Sequence, residues 1–314
     1  MDSALQNRRY VIGMGASAGG LDALTQLVAD LPTQSDSIFV IAQHMSASHR
    51  SMMAEILSRQ TQLTVQEIVS DEIPLPNVIY IVPTGSNLEF LEGRLHLCTP
   101  DTEVAPKPSI NLLFQSMAKE FDTRAIGIVL SGTGSDGTLG LRAIKDAGGM
   151  TFVQSPETAK YDGMPRSAIE AGVADYVAPP DEICHVLDHL LRLPTDASYL
   201  NKQEEHRDTF ADLLERVRLH TQIDFSNYKP ATVQRRLQRR MNTTRTFTLE
   251  AYLAYIDTHP NELDALAKDA LISVTEFFRD AEAFQALKHH LYEIVQQKQP
   301  DEELRIWVVG CASG

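Results

Sequence analysis

The sequence predicts an α/β protein. A doubly wound, mostly parallel sheet occupies residues 1–193, a linker 194–206, a small all-helical domain 207–300, and the opening strand of a second, truncated α/β unit 301–314. Three observations carry this. Through residues 8–193, short apolar runs of buried-strand type alternate with segments of helical period, the pattern of a parallel sheet wrapped by helices. Two of those runs end in Gly-rich turns that open helices. From residue 207 onward only i, i+3, i+4 apolar spacing continues, until Leu304.

The elements follow in order. Tyr10-Val11-Ile12 is the first strand, and Gly13 to Gly20 read as a turn before a helix over Leu21–Leu31. The second strand, Ser37 to Ala42, ends in Gln43-His44. Val78 to Val82 is another strand, and Leu88–Leu91 and Arg94–Leu97 flank Glu92-Gly93 as a hairpin. Ser109 caps a helix over Ile110–Phe121. Ala125 to Leu130 is a buried strand, followed by the turn Ser131–Gly137 and a helix over Thr138–Ala147. Strands at Met150–Val153 and Ala174–Val177 and a closing helix at Ile183–Leu193 complete the domain. The helical domain shows stripes at Phe210/Leu213/Leu214/Val217, Val233/Leu237/Met241, Leu249/Tyr252/Leu253/Ile256 and Leu263/Leu266/Ala267/Leu271. Leu304 to Val309 then runs as a strand into Gly310-Cys311-Ala312-Ser313-Gly314.

Composition bounds the function. A chain of 314 residues with 43% apolar content supports two domains with ordinary cores. No stretch approaches the roughly 18 apolar residues of a membrane span, and the N-terminus has no secretory pattern. The three cysteines, Cys98, Cys184 and Cys311, are far apart and form no metal-spacing motif. They suit a reducing cytoplasm. A net charge of −14 argues against nucleic-acid binding.

The turn Gly13-Met14-Gly15-Ala16-Ser17-Ala18-Gly19-Gly20 fits two motifs. Gly13-x-Gly15-x-x-Ala18 matches a dinucleotide fingerprint, which would make the chain a silent phosphate- or nucleotide-binding module. Gly15-x-Ser17-x-Gly19 matches the nucleophile elbow, which exposes a serine hydroxyl. A dinucleotide site needs an acid at the end of the second strand, and this chain has His44 there. A serine nucleophile needs a base of suitable pKa, which histidine supplies. Asp136 lies in the turn after a third strand and either orients that base or only caps the next helix. The chain order Ser, His, Asp is admissible, because triads are defined by geometry. His49, His96, His185 and His206, and the acids Asp71, Glu72 and Asp101, are read as ordinary surface groups.

Six segments in order then resemble the catalytic domain of CheB-type chemotaxis protein-glutamate methylesterases. They are Gly15–Gly20, Gln43-His44-Met45, Val82-Pro83, Lys107–Asn111, Leu130–Gly137 and Gly163-Met164-Pro165-Arg166. The resemblance implies that Ser17 is the nucleophile, His44 the base and Asp136 its orienting acid. The oxyanion would sit on the N–H of Ala18 and, by resemblance, that of Thr133, which stands where the family usually has methionine. Met164 and Arg166 are substrate-side candidates. The implied reaction is hydrolysis of glutamyl methyl esters on chemotaxis receptor helices, or deamidation of glutamine, with no cofactor and no metal. Other chemotaxis signalling proteins are the implied partners.

Residues 206–314 resemble the N-terminal part of CheR-type receptor methyltransferases, on Ser273–Asp280 and Gly310–Gly314. The resemblance places Thr275, Arg279 and Gly310 near S-adenosylmethionine, in a longer esterase–methyltransferase fusion from which this chain is expected to be cut. The basic run 215–245 carries Arg216, Arg218, Lys229, Arg235, Arg236, Arg239, Arg240 and Arg245. It reads equally as a docking face for acidic receptor helices and as a solvated helix face.

Overall fold

The computed structural model describes residues 10–45, 52–99, 107–192, 204–226, 228, 230–246, 248–271, 281–299 and 305–307. The chain divides into two compact units, 1–270 and 271–314. The first begins with β1 (Val11–Ala16), α1 (Gly20–Ala29), β2 (Ile38–Gln43), α2 (Met53–Ser58), β3 (Thr64–Glu67), β4 (Val78–Ile81), β5 (Asn87–Leu91) and β6 (Arg94–Cys98). It continues with α3 (Ile110–Phe121), β7 (Ala125–Val129), α4 (Thr138–Asp146), β8 (Met150–Gln154), α5 (Gly163–Glu170), β9 (Tyr176–Ala178) and α6 (Pro180–Arg192).

Seven strands form one sheet in the order β3-β4-β2-β1-β7-β8-β9, every pairing parallel. The expected doubly wound fold is therefore present. The chain winds outward from β1 through β2 to β3 and β4, then returns to place β7 on the other side of β1. That reversal opens a crevice at the carboxyl ends of β1, β2 and β7, where such sheets bind ligands. Separate apolar clusters cover the two faces, one around Leu24, Phe39 and Leu187, the other around Tyr80, Phe114 and Leu141. β5 and β6 pair as the predicted hairpin, with Glu92 and Gly93 both at positive φ, as a tight hairpin turn needs.

One local reading is corrected. Gly13 and Gly15 belong to β1 and not to a turn. A Cβ on Gly13 would fall 2.7 Å from the Met117 sulfur, and one on Gly15 would fall 2.4 Å from Ile110 Cγ2. These glycines let α3 lie directly on the strand. The phosphate-cradling loop of the dinucleotide reading is not formed by them.

The helical part of the first unit contains α7 (Glu204–Thr221), α8 (Pro230–Thr243), α9 (Leu249–Thr258) and α10 (Glu262–Ala270). The predicted stripes converge on one core, with Leu213, Val217, Val233, Leu237, Met241, Leu249, Tyr252, Ile256, Leu263 and Leu266 all buried; Leu271, placed on the last stripe, is exposed instead. The basic run divides: Arg218 and Arg245 are exposed, as a surface face requires, two further arginines are buried, and Lys229 and the Arg235 side chain lie outside what is described. Arg236 and Arg239 are each only 3% exposed. Arg239 pairs with Asp175, just before β9, and Lys145 Nζ reaches the same carboxylate at 3.0 Å. Arg245 pairs with Glu182 and lies over the Tyr176 ring. Arg240 forms a double hydrogen bond to Glu262, both at 2.8 Å, and Arg216 and Arg218 pair with Asp212, Asp257 and Glu215. Arg216 and Arg240 tie the helices to one another, Arg218 pairs within its own helix, and Arg239 and Arg245 fasten the helices to the β8–β9 side of the sheet. The second unit contains α11 (Ala281–Gln297), with Leu287 and Tyr292 exposed. Of the expected strand 304–309, the described residues 305–307 are not paired in a sheet.

Candidate active site

The carboxyl ends of β1, β2 and β7 deliver the three predicted residues. β1 ends at Ala16, and the next residue, Ser17, donates its N–H to Ser131 O at 2.9 Å. Its carbonyl accepts from Gly20 N at 2.9 Å and from Gln43 Nε2 at 2.7 Å. The turn closes through Gly19 at φ +71°, where a Cβ would also fall 2.9 Å from Ser131 Oγ. Only glycine fits there. Ser131 is 1% exposed and acts as a bolt. Its hydroxyl donates to Ala18 O at 2.8 Å and accepts from Tyr161 N at 3.0 Å, while its N–H donates to Gln154 Oε1 at 2.8 Å.

His44 follows β2. The strand register pairs Ala16 with Gln43, so Ser17 and His44 leave neighbouring strands spaced about 4.8 Å apart. The imidazole is 10% exposed, and its Nε2 lies 2.8 Å from Asp136 Oδ2. An ionised carboxylate only accepts, so in the neutral ring this pairing puts the proton on Nε2 and leaves Nδ1 able to accept one. No hydrogen bond joins the Ser17 hydroxyl to His44; catalytic contacts of this kind commonly tighten only when substrate binds.

Asp136 sits between the N-termini of two helices. Its Oδ2 accepts from Ile110 N at 2.8 Å, and its Oδ1 from Asn111 N and Gly137 N, each at 3.0 Å. Burial pushes its carboxyl up, but the hydrogen bonds from His44, Ile110 and Asn111 more than offset this and hold it below the usual carboxylate range. The positive ends of the helices act in the same direction. The sequence left Asp136 either capping the helix that follows it or orienting the base; the helix whose first N–H groups it takes is instead the earlier α3. In the structure it caps α3 and pairs with His44 at once.

The other candidates separate. Among the described residues, neither the Ala18 N–H nor the Thr133 N–H has a hydrogen-bond acceptor. Met164 is fully buried behind the turn. A Cβ on Gly132 would fall 2.1 Å from its sulfur and 2.8 Å from Ser17 Cβ, so Met164 walls the nucleophile turn from inside and does not meet a substrate surface. Arg166 is exposed and paired with Asp162 at 2.5 Å. Thr275, Arg279 and Gly310 lie outside the described residues. Among the described residues no cluster of three His, Cys, Asp or Glu side chains could hold a metal, and no helix is long and apolar enough to cross a membrane. Sequence reasoning missed Ser131 and Gln43 as supports of the turn. Their only signal was a polar residue ending, or directly following, a buried strand.

A serine at a strand-to-helix turn, a histidine on the next strand and a carboxylate on its far side define a serine-esterase class of site. Comparison with known proteins narrows the class. Residues 12–187 match the CheB methylesterase family and residues 208–271 the all-alpha domain of CheR methyltransferases. The chain belongs to the CheB methylesterase family. It is 30% identical to the Thermotoga maritima CheB methylesterase catalytic domain, with a TM-score of 0.55, covering 58% of this chain and 98% of that structure. A protein-glutamate methylesterase/protein-glutamine glutaminase of Moorella thermoacetica is 37% identical over 179 residues, 55% of this chain and 42% of that protein. An uncharacterized 104.1 kDa protein of Rhodobacter capsulatus is 35% identical over 288 residues, 83% of this chain and 30% of that protein. The chain thus spans less than half the length of both curated relatives.

Proposed function

We propose that this chain hydrolyses glutamyl γ-methyl esters on chemotaxis receptor helices in the cytoplasm. What carries the reading is the pairing of His44 with an ionised Asp136 beside Ser17, at the crevice of a sheet whose family is that of the methylesterases. Ser17 Oγ attacks the ester carbonyl carbon while His44 Nδ1 takes its proton. The N–H groups of Ala18 and Thr133 receive the oxyanion; each such donor is worth about 10²–10³ in rate. As the C–O bond breaks, His44 returns the proton and methanol leaves. Water then attacks the acyl-serine, His44 again taking a proton, and glutamate is released with Ser17 restored. Asp136 keeps the imidazole proton on Nε2 and stabilises the charged ring. Glutamine deamidation is the same sequence with ammonia leaving.

The test is methanol release from methylated receptor. Ser17→Ala is expected to lower the rate by roughly 10⁴–10⁶-fold. Equal release by wild type and Ser17→Ala would falsify the reading. In a longer chain, S-adenosylmethionine binding through Thr275, Arg279 and Gly310 is proposed as a separate methyltransferase activity of the second domain.

A further inference from the structure

Asn111 is the second residue of α3, and the reaction proposed above makes no use of its side chain. That side chain is nevertheless engaged twice. Its Oδ1 accepts from Gly137 N at 3.0 Å and from Gly140 N at 2.8 Å. Its own backbone N–H donates to Asp136 Oδ1, an oxygen that also accepts from Gly137 N. One residue therefore ties the start of α3 to the start of α4, with the Asp136 carboxylate between them. The two helices meet almost backbone to backbone here: a Cβ on Gly140 would fall 3.1 Å from both Asn111 Cα and Asn111 O. Gly137, at φ +93°, turns the chain between Asp136 and α4. A turn with so open a residue at its corner has few constraints of its own. The amide of Asn111 supplies them.

We infer that Asn111 is a positioning residue for the Asp136–His44 pair, an inference that rests on the esterase reading. It touches no reacting atom. By satisfying two N–H groups at the start of α4, which the helix itself cannot pair, it fixes the turn 131–137. The Asp136 Oδ2 is then held 2.8 Å from both Ile110 N and His44 Nε2. Removing the amide frees the Gly140 donor to water, leaves Gly137 N with Asp136 Oδ1 alone, and lets the carboxylate swing off the imidazole.

The experiment compares wild type, Ser17→Ala, Asn111→Ala and Asn111→Asp. Methanol release gives kcat and KM, and the low-field proton resonance of the His44 Nε2–H bonded to Asp136 reports the pair directly. Asn111→Ala is expected to lower kcat by about 10–100-fold, the scale of a misplacement near 1 Å, with KM within about twofold. It should also lose the resonance. Asn111→Asp keeps an acceptor for both amides and restores resonance and most of kcat. Should Asn111→Ala not fold, Asn111→Ser serves in its place, because its shorter hydroxyl cannot span both amides. Wild-type kcat together with an intact resonance in the folded Ala or Ser variant overturns the proposal, as does a folded Asp variant that restores neither. If wild type and Ser17→Ala release methanol equally, the esterase reading falls, and the resonance alone still decides the role of Asn111.

Discussion

Substituting Gly15 by alanine tests whether the close approach of α3 to β1 is what aims the Asp136 carboxylate at His44. Gly15 is the next-to-last residue of β1, two residues before Ser17, and the nearest atom to an added Cβ is Ile110 Cγ2 at 2.4 Å. That is 1.0 Å short of the 3.4 Å at which ordinary contact begins. Ile110 is β-branched and stiff at χ1, and its Cδ1 and Cγ1 stand only 3.0 and 3.1 Å away, so rotation does not clear the space. The first turn of α3 must therefore move by about the missing distance. Overpacking of this kind costs about 1–3 kcal/mol, or about 2–12 °C in Tm for a domain of this size. The same movement carries Ile110 N away from Asp136 Oδ2, now 2.8 Å apart. A shift near 1 Å at a catalytic group can cost about 10²-fold in rate. Gly13→Ala is the control. Its added Cβ meets the flexible Met117 end at 2.7 Å and the Phe114 ring at 2.8 Å, further along α3 and away from Asp136. It should cost stability and leave kcat nearly intact. Melting curves and methanol release on both variants decide the matter. If Gly15→Ala loses no more kcat than Gly13→Ala at matched stability, the argument is wrong.

Two further outcomes are expected. Asp175→Ala leaves Arg239 buried with its nearest other carboxylate, Asp269, at 3.8 Å, so it should cost about 3–5 kcal/mol. Arg239→Met should cost less, because Asp175 keeps Lys145 at 3.0 Å and the Thr151 hydroxyl at 2.9 Å; urea unfolding that ranks the two in the opposite order refutes the clamp. The folded Asp136 carboxyl lies below its unfolded value of about 3.9, so its ionised form stabilises the fold above that pH, and the contribution is lost as pH falls through the folded value. Asp136→Asn should flatten the decline of Tm below about pH 4, and an acid limb identical to wild type counts against the hydrogen-bonded, ionised carboxylate.

How much of this was legible in the sequence follows from how local each signal is. The buried strands announced themselves as unbroken apolar runs, and the Ser109 cap is where it was expected, its Oγ accepting from Leu112 N at 3.3 Å. β3 was not seen, because Thr64–Glu67 is a polar edge strand with no apolar alternation. Gly13 and Gly15 were misread because glycine marks a turn far more often than a strand against which a helix rests. Ser17, His44 and Asp136 were readable from their strand ends. The hold on Asp136 was not, since two of its partners are backbone N–H groups of a helix starting 26 residues earlier. Arg239 was read as a surface group, docking or solvated, for the same reason: its partner Asp175 is 64 residues away in the other domain.

The short edge strand β9 takes on a different meaning once those arginines are in place. A parallel sheet must end somewhere, and an unpaired edge is a template on which another chain can add a strand. On one side the sheet ends in the polar β3. On the other it ends in the three residues Tyr176–Ala178, bordered by the guanidinium groups of Arg239 and Arg245. A strand arriving there would have to displace a buried ion pair. Those two arginine contacts thus narrow the edge left to another strand, and the sheet domain expressed without the helices is expected to show a smaller soluble fraction.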